Sequence, residues 1–226
     1  NTIQAVNHFR GEFYPRVDTL SVVTVTDERV PGIASERFWT LRNHQAVTDE
    51  IDQFRPHFNR PPDHEIETTV RVQGLNPSIV LTMEADTLFV PPMEWNDAMP
   101  MANWLSTGEQ VTWVLRDRET GDENQDINWR FEVGDLVKLR IFNTPESFHP
   151  MNHPIHIHGQ RFLVVSLDGI QNQNLVWKDT AIVPVGSTMD VLVEMSNPGE
   201  WMLHCHIAEH LQAGMSFGFS VGEVLP

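Results

Sequence analysis

The stretch GEWMLHCHIAEHLQAGMSFGFSV, residues 199–221, contains two β-rich segments separated by a short loop. Similar β-rich segments recur between turn signals from about Glu67 onward: TTVRVQ, SIVLTM, VTWVLRD, DLVKLRIFN, RFLVVSL and MDVLVEM. Short strands at such spacing are typical of β-sandwiches and barrels. We therefore predict an all-β fold in which helix is a minor component.

The segment DLVKLRIFN shows the alternation expected of one such strand. Apolar Val137, Leu139 and Ile141 alternate with charged Lys138 and Arg140. Because successive side chains of a strand point to opposite faces of the sheet, this pattern predicts a strand with one buried face.

The first 60 or so residues are different in character. They contain one predicted strand, LSVVTVT, and then a polar, proline-containing stretch through RPHFNRPPDHE. That is too little for a complete sandwich, and the proline-containing stretch is interpreted as a connection. Because the chain opens on Asn1, we expect its N-terminus to arise by processing or by excision from a longer protein.

Composition excludes several function classes. The 226 residues, 40% of them hydrophobic, are enough to form a globular core. A formal net charge of -16 argues against nucleic acid as a partner, since phosphate binding needs a basic surface. No apolar run approaches the roughly 20 residues that span a bilayer. The acidic stretch DRETGDENQD lacks the ligand pattern of a calcium loop and is predicted to be a solvated turn.

The histidines carry the functional signal. Six of the eleven fall into two short clusters, HPIHIH at residues 153–158 and HCHIAEH at residues 204–210. Strand alternation puts His204 and His206 on one face and Cys205 on the other, so one strand can serve two metal sites. His156 and His158 likewise share a face, and two such strands side by side present four imidazoles.

Cys205 is the only cysteine, which excludes an intrachain disulfide. His210 and Met215 follow it in the spacing C-x4-H-x4-M, and His153 can reach the same ion from the other cluster. Two imidazoles, one thiolate and a weak axial thioether form the environment of a blue-copper electron-transfer site. Zinc is the main rival, but it prefers a closed set of strong ligands and gains nothing from a methionine.

The other histidines are expected to be ordinary surface or structural residues: His8, His44, His57, His64 and His149.

Three motifs resemble the multicopper oxidases: NHPIHIHG from Asn152 to Gly159, VWKDT from Val176 to Thr180, and HCHIAEHLQAGM from His204 to Met215. The resemblance covers residues 65–226 and implies a Greek-key cupredoxin β-sandwich or barrel, with residues 1–64 as the tail of a preceding cupredoxin domain plus a linker. It also implies copper ligands for a complete type 1 site and for half of a trinuclear cluster. These are His153, Cys205, His210 and Met215 for type 1 copper, His156 for type 2, and His158, His204 and His206 for the binuclear type 3 site.

The function that this resemblance implies is a laccase-like oxidase. Single electrons from a phenol, an aromatic amine or a metal ion would enter through His210, pass from Cys205 through His204 and His206, and reduce O2 to water. Axial Met215 predicts a low to medium type 1 potential. The resemblance also implies an extracytoplasmic location, periplasmic or secreted.

One departure from the family concerns the cluster. The trinuclear site needs about twice the histidines found here, and in the family two H-x-H motifs of an N-terminal domain supply them. We therefore predict that an N-terminal fragment or a partner chain contributes the rest. Asp179 is interpreted as a structural neighbour of the ligands. Met93, Met99 and Met101 either pack a loop against the domain or gather Cu(I).

Two other functions compete with the oxidase. One is a non-enzymatic cupredoxin that only carries electrons or copper, but such a carrier does not need the four extra imidazoles. The other is a copper nitrite reductase, which the resemblance disfavours because Cys205 is followed by His206.

Overall fold

The computed structural model describes residues 21–28, 44–74, 77, 110–148 and 150–222. The chain divides into two units, Asn1–Gln53 and Phe54–Pro226. The predicted strand SIVLTM and the methionine-bearing segment around Met99 lie outside the described residues. The predicted boundary between residues 64 and 65 stays a prediction.

The first unit contains one described helix, α1 (Gln45–Asp52), which begins after His44. The His44 ring nitrogen Nδ1 accepts a hydrogen bond from the backbone N–H of Val47 at 3.3 Å, so this histidine has the structural role expected of it. The predicted strand LSVVTVT is wrong over residues 21–26, which belong to no strand of the described part. Val22 and Val25 in this segment are 80% and 88% exposed. A segment of β-forming residues becomes a strand only where a neighbouring strand pairs with its backbone, and composition alone does not provide that neighbour.

The second unit is built from twelve described strands and one described α-helix. In chain order these are β1 (His64–Val72), β2 (Val111–Asp117), β3 (Trp129–Glu132), β4 (Leu136–Asn143), β5 (His153–Ile157), β6 (Arg161–Leu167), β7 (Ile170–Gln171), β8 (Trp177–Lys178), β9 (Thr180–Val183), β10 (Thr188–Glu194), β11 (Gly199–Cys205), α2 (Ala208–Gln212) and β12 (Ser216–Gly222). Two 3-10 turns, Arg55–His57 and Asn124–Asp126, complete the described elements of this unit.

The strands form two sheets. The first has the order β2-β1-β4-β10-β6-β7, with β8 also paired to β6, and the second has the order β3-β12-β11-β5-β9. Parallel pairing occurs between β1 and β4 and between β12 and β3, while the other pairs are antiparallel. The prediction of an all-β sandwich or barrel is confirmed.

Both sheets contribute alternate apolar side chains to one core, as a sandwich requires. Its larger members are Ile66, Trp113, Leu115, Leu139, Ile141, Ile155, Phe162, Val191, Leu203, Phe217 and Phe219. Cys205 and Met215 belong to the same cluster, so part of the predicted metal site is continuous with the core.

The alternation predicted for β4 is present, but its second face is not open to solvent. Lys138 is only 5% exposed. Its ammonium group donates hydrogen bonds to the carbonyls of Phe58 and Arg60, both at 2.8 Å, and lies 3.2 Å from Asp190. Asp190 also forms a paired hydrogen bond with Arg140. The segment that leads into β1 therefore covers this face, which a period-2 pattern cannot reveal.

The acidic turn after β2 is mostly exposed, as predicted, although two of its residues are structural. Asp117 is buried, and its carboxylate accepts a hydrogen bond from the Trp129 indole at 2.9 Å. Asn124 bridges two backbone groups of β2: its Oδ1 accepts from Leu115 N–H at 2.8 Å and its Nδ2 donates to the Trp113 carbonyl at 3.0 Å.

The turn between β5 and β6 requires glycine at position 159. Gly159 has φ +68°, and a Cβ there would overlap the indole ring of Trp201 on β11. This close approach allows β11 to pass directly beside the end of β5, where the histidines of the first cluster lie.

Replacing Lys138 tests the covered face of β4. Lys138→Met should lower the free energy of unfolding by about 3 kcal/mol, because it leaves one buried and one partly buried carbonyl without a donor and removes one of the cations paired with Asp190. Urea unfolding measures the change. Lys178, the chain's other lysine, is exposed, so Lys178→Met should change stability by less than about 0.5 kcal/mol. Equal effects of the two substitutions would contradict the structural role of Lys138.

Replacing Gly159 tests the close approach to Trp201. Gly159→Ala should destabilise the protein by about 3 kcal/mol, since it adds steric overlap to an unfavourable positive φ. Gly169 has a similar φ of +76° with nothing within 4 Å of a new Cβ, so Gly169→Ala isolates the backbone cost, about 1 kcal/mol. Thermal unfolding of both variants measures the difference, and the absence of a difference would exclude the overlap.

Candidate metal centre

The register between β5 and β11 positions both histidine clusters. His204 lies directly opposite His156, and Cys205 lies opposite Ile155. Residues 153, 155 and 157 of β5 are buried, while those between them are only partly buried. Since side chains alternate along each strand, Cys205 points into the sandwich and His204 points to the outside of the second sheet. Cys205 and His204 therefore face opposite sides of the second sheet, as the strand alternation predicts.

Inside the sandwich, three donor side chains converge, and we call His153, Cys205 and His210 the buried set. All three are almost completely buried. Cys205 Sγ lies 3.7 Å from His153 Nδ1 and 3.6 Å from His210 Nδ1, and the two imidazole nitrogens are 3.3 Å apart. Bonds of about 2.0 Å to nitrogen and about 2.3 Å to sulfur would hold three donors roughly 3.4 to 3.8 Å apart around one ion. The buried set fits a single metal ion of that size.

Met215 completes the predicted C-x4-H-x4-M spacing and is fully buried. Its backbone N–H donates to the His210 carbonyl at 2.9 Å, and its carbonyl accepts from the Cys205 N–H at 3.1 Å. These two hydrogen bonds join the ends of the segment from Cys205 to Met215, so the backbone of Met215 is fixed to two members of the buried set.

The protonation state of His153 suits metal binding. Burial lowers the pKa of His153 from its usual 6.5 to about 3, because the interior disfavours the charged ring. At neutral pH the ring is therefore uncharged and retains a lone pair for a metal ion.

On the outside of the second sheet, His156, His158 and His204 each offer one ligand atom, and all three atoms lie within 4.8 Å of one another. We call these three residues the outward set. The Nε2 atoms of His158 and His204 are only 2.9 Å apart. His206 is exposed, and its ring centre lies 5.6 Å from that of His156 and 5.7 Å from that of His204. The four predicted imidazoles thus lie together, with His206 at the margin.

Hydrogen bonds orient two rings of the outward set. His156 Nδ1 lies 2.8 Å from the Asp179 carbonyl and 2.9 Å from Thr180 Oγ1, while the Thr180 hydroxyl donates to the Asp179 carboxylate at 3.0 Å. His204 Nδ1 lies 2.7 Å from the Cys205 carbonyl. A carbonyl only accepts, so each Nδ1 carries the proton and each Nε2 is left to bind a metal.

Two pKa shifts agree with this assignment. Burial, followed by the charges of His156 and His206, lowers the pKa of His158. Burial also lowers the pKa of His204, and the neighbouring imidazoles add to the effect. Crowded imidazoles disfavour protonation of one another, so these rings stay neutral and able to coordinate.

Two residues of the site escaped sequence reasoning. Trp113 stacks on His210, with ring centres 3.7 Å apart and ring planes inclined by 17°. Thr180 lies within the VWKDT motif, but the motif alone does not predict its contact with His156. Trp113 belongs to the opposite sheet, so no local spacing connects it with the ligands. A hydroxyl-bearing residue directly after Asp179 is the sequence feature that could have suggested a residue orienting a histidine ring.

The remaining histidines have other positions. His64 stacks on Trp129 with ring centres 4.3 Å apart, which is a structural contact. His57 ends a 3-10 turn and belongs to neither set. His8 and His149 lie outside the described residues.

Together, the buried and outward sets give one sheet two adjacent groups of metal donors. The buried set offers a cysteine sulfur shielded from water beside two imidazoles, a donor set that suits an ion that changes oxidation state. The outward set has only imidazoles at a more accessible surface.

In the described part of the chain, no helix is long and apolar enough to cross a membrane.

Comparison with known proteins finds similarity to laccases and to another multicopper oxidase. Laccase-1 of Melanocarpus albomyces is 32% identical over 214 residues, which cover 86% of this chain and 32% of the laccase. Laccase-1 of Arabidopsis thaliana is 37% identical over 104 residues, covering 40% of this chain and 18% of the laccase. The McoA multicopper oxidase of Aquifex aeolicus, a solved structure, is 36% identical over 42% of this chain and 21% of its own, with a TM-score of 0.36.

The chain spans 17% to 32% of the length of the first three curated relatives that it matches. The family model described as multicopper oxidase matches residues 96–224. Because that match covers more than half of the 226 residues, the chain belongs to the multicopper oxidase family.

Proposed function

We propose that this chain is the copper-binding cupredoxin part of a laccase-like oxidase. The whole enzyme takes single electrons from a small reducing substrate, a phenol, an aromatic amine or a metal ion, and reduces O2 to water. One observation carries the proposal: Cys205 and His204 are adjacent residues of β11, yet one belongs to the buried set and the other to the outward set. A single peptide thus joins an electron-accepting site to an oxygen site.

The proposed ligand assignment follows the two sets. His153, Cys205, His210 and Met215 hold type 1 copper, His156 holds type 2 copper, and His158, His204 and His206 hold their share of the binuclear type 3 site. The chemistry of the buried donors supports copper over zinc. Two imidazoles and one thiolate beside a buried methionine match a soft ion with a weak axial ligand, whereas zinc sites use four strong ligands.

Bound copper would supply one-electron chemistry at the buried set and reduction of oxygen at the outward set. The residues of this chain supply the surroundings. Burial of Cys205 and His153 excludes water from the thiolate, which limits the rearrangement that accompanies a change of charge. The peptide on either side of Cys205 leads to His204 and His206, so the route between the two sets is covalent. Met215 supports a low to medium type 1 potential.

The outward set supports the need for a second polypeptide segment. His206 is exposed, and the four imidazoles of this face are about half of those in a trinuclear site of the family. We propose that an N-terminal cupredoxin fragment or a partner chain covers this face and supplies the remaining histidines. We also propose an extracytoplasmic location, where such oxidases encounter their substrates and O2.

The competing functions use the same residues differently. An electron-carrying cupredoxin requires only the buried set and Met215, and the orientation of His156 and His204 by hydrogen bonds would then have no purpose. A copper nitrite reductase is disfavoured because His206 directly follows Cys205. The assembled outward set therefore favours the oxidase.

Selective removal of ligands tests the two-site proposal. The protein, purified with any polypeptide that accompanies it, should contain nearly four coppers and show an intense blue band. Cys205→Ser should abolish that band but retain copper at the outward set, since only the buried set loses its thiolate. His158→Ala should lower outward-set copper and keep the blue band. Copper analysis and optical and electron paramagnetic resonance spectra measure both outcomes.

His57→Ala serves as the control, because His57 belongs to neither set, and it should leave copper content and spectra unchanged. A single blue copper with no companion polypeptide would instead establish an electron carrier. Loss of all copper in each ligand variant would contradict the independence of the two sets.

Thr180 provides a test of the type 2 assignment. Thr180→Val keeps the shape of the side chain but removes the hydroxyl that contacts His156 Nδ1, so the affinity for type 2 copper should fall by about tenfold. The blue band should stay unchanged. Thr69→Val on β1, in the other sheet, is the matched control. Titration with a chelator under electron paramagnetic resonance measures the loss, and equal retention in both variants would remove Thr180 from the site.

A further inference from the structure

We infer that Trp113 is a positioning residue for the type 1 site, holding the imidazole of His210 in place by stacking. The inference rests on the proposed type 1 role of the buried set. It assigns a function to a residue of the first sheet that supplies no ligand atom.

The contact is extensive and involves both imidazoles of the buried set. The indole ring of Trp113 lies nearly parallel to the His210 ring, with ring centres 3.7 Å apart. The same indole meets the His153 ring edge-on, with ring centres 5.4 Å apart and an angle of 70°. A parallel ring at this distance is in van der Waals contact over its whole face, so the His210 ring cannot tilt toward β2 without a clash.

Trp113 is itself held firmly at both ends of its peptide. Its backbone N–H donates to the Ala213 carbonyl at 3.0 Å, which ties it to the loop that follows His210. Its carbonyl accepts from Asn124 Nδ2 at 3.0 Å, and Asn124 Oδ1 in turn accepts from Leu115 N–H at 2.8 Å. Hydrogen bonds therefore fix the backbone of Trp113 both within β2 and to the segment that follows His210.

His210 needs such support because its own element is short. Helix α2 has only five residues, and no side chain caps its N-terminus at Ile207. An isolated helical turn of this length is unstable, so packing has to fix its position. Among the described ring contacts of His210, the stack on Trp113 has the shortest distance between ring centres.

Trp113 contacts His210 through the face of its indole ring, and its indole N–H takes no part in that contact. Trp113 Nε1 is buried and has no hydrogen-bond partner among the residues that the structure describes. A buried donor without a partner is unfavourable, so a hydrogen bond does not explain the presence of tryptophan here. Phenylalanine at this position would lose no hydrogen bond and would keep an aromatic face toward His210.

Loss of the stack should change the site in a definite direction. Cu(II) prefers a tetragonal arrangement of ligands, which a firmly held His210 resists. A mobile His210 ring would let the oxidised form relax more than the reduced form. The type 1 potential of such a variant should therefore fall, and copper should leave the site more readily.

The test compares three variants of the copper-loaded protein, purified with any polypeptide that accompanies it. Trp113→Leu should lower the type 1 potential, alter the blue band and release type 1 copper to a chelator about tenfold faster. Trp113→Phe should restore most of the parent behaviour. Leu115→Ala is the matched control, since Leu115 is a fully buried residue two positions along the same strand, and it should leave potential and spectrum as in the parent.

Each outcome decides the inference. If Trp113→Leu does not fold, Trp113→Met fills more of the volume without an aromatic face and carries the same expectation. An unchanged potential and release rate in the Leu and Met variants, or equal changes in Leu115→Ala, would overturn the positioning role. A parent protein without a blue band would instead overturn the proposed function, and this inference with it.

Discussion

The convergence of three buried donor atoms is the constraint on which the second unit depends. Cys205 Sγ and the Nδ1 atoms of His153 and His210 lie 3.3 to 3.7 Å from one another, although they come from β11, β5 and α2. Atoms of this kind approach so closely only if the elements that carry them are fixed relative to one another. Sheet pairing fixes the first two, and the backbone bonds of Met215 close the loop that carries the third.

The second sheet, which contains β5 and β11, places different donor side chains on its two faces. The Cys205 sulfur and apolar side chains fill the interior, where charge is unfavourable and an uncharged His153 is stable. Imidazoles and the hydrogen bonds that orient them occupy the outer face, beside Asp179 and Thr180. The buried sulfur and imidazole donors and the outer imidazoles are compatible with membership of the multicopper oxidase family.

Much of this arrangement could be predicted from the sequence, because strand period and ligand spacing are local. The alternation around His204 and His156 indicated which side chains share a face, and C-x4-H-x4-M indicated the loop. Contacts between distant strands were beyond such reasoning. Trp113 reaches His210 from the other sheet, and Lys138 is covered by a segment that begins some 80 residues earlier. The strand predicted at residues 21–26 failed because strand formation depends on a neighbour as well as on composition.

The alternate facing of Cys205 and His204 also limits how this gene can change during evolution. A substitution alters one side chain, but an insertion or deletion of one codon within β11 or β5 reverses the facing of every residue beyond it. Such a change would move the thiolate outward and an imidazole inward, and so would damage both donor sets at once. We therefore expect changes of length to be tolerated in the turns of the sandwich and not within these two strands.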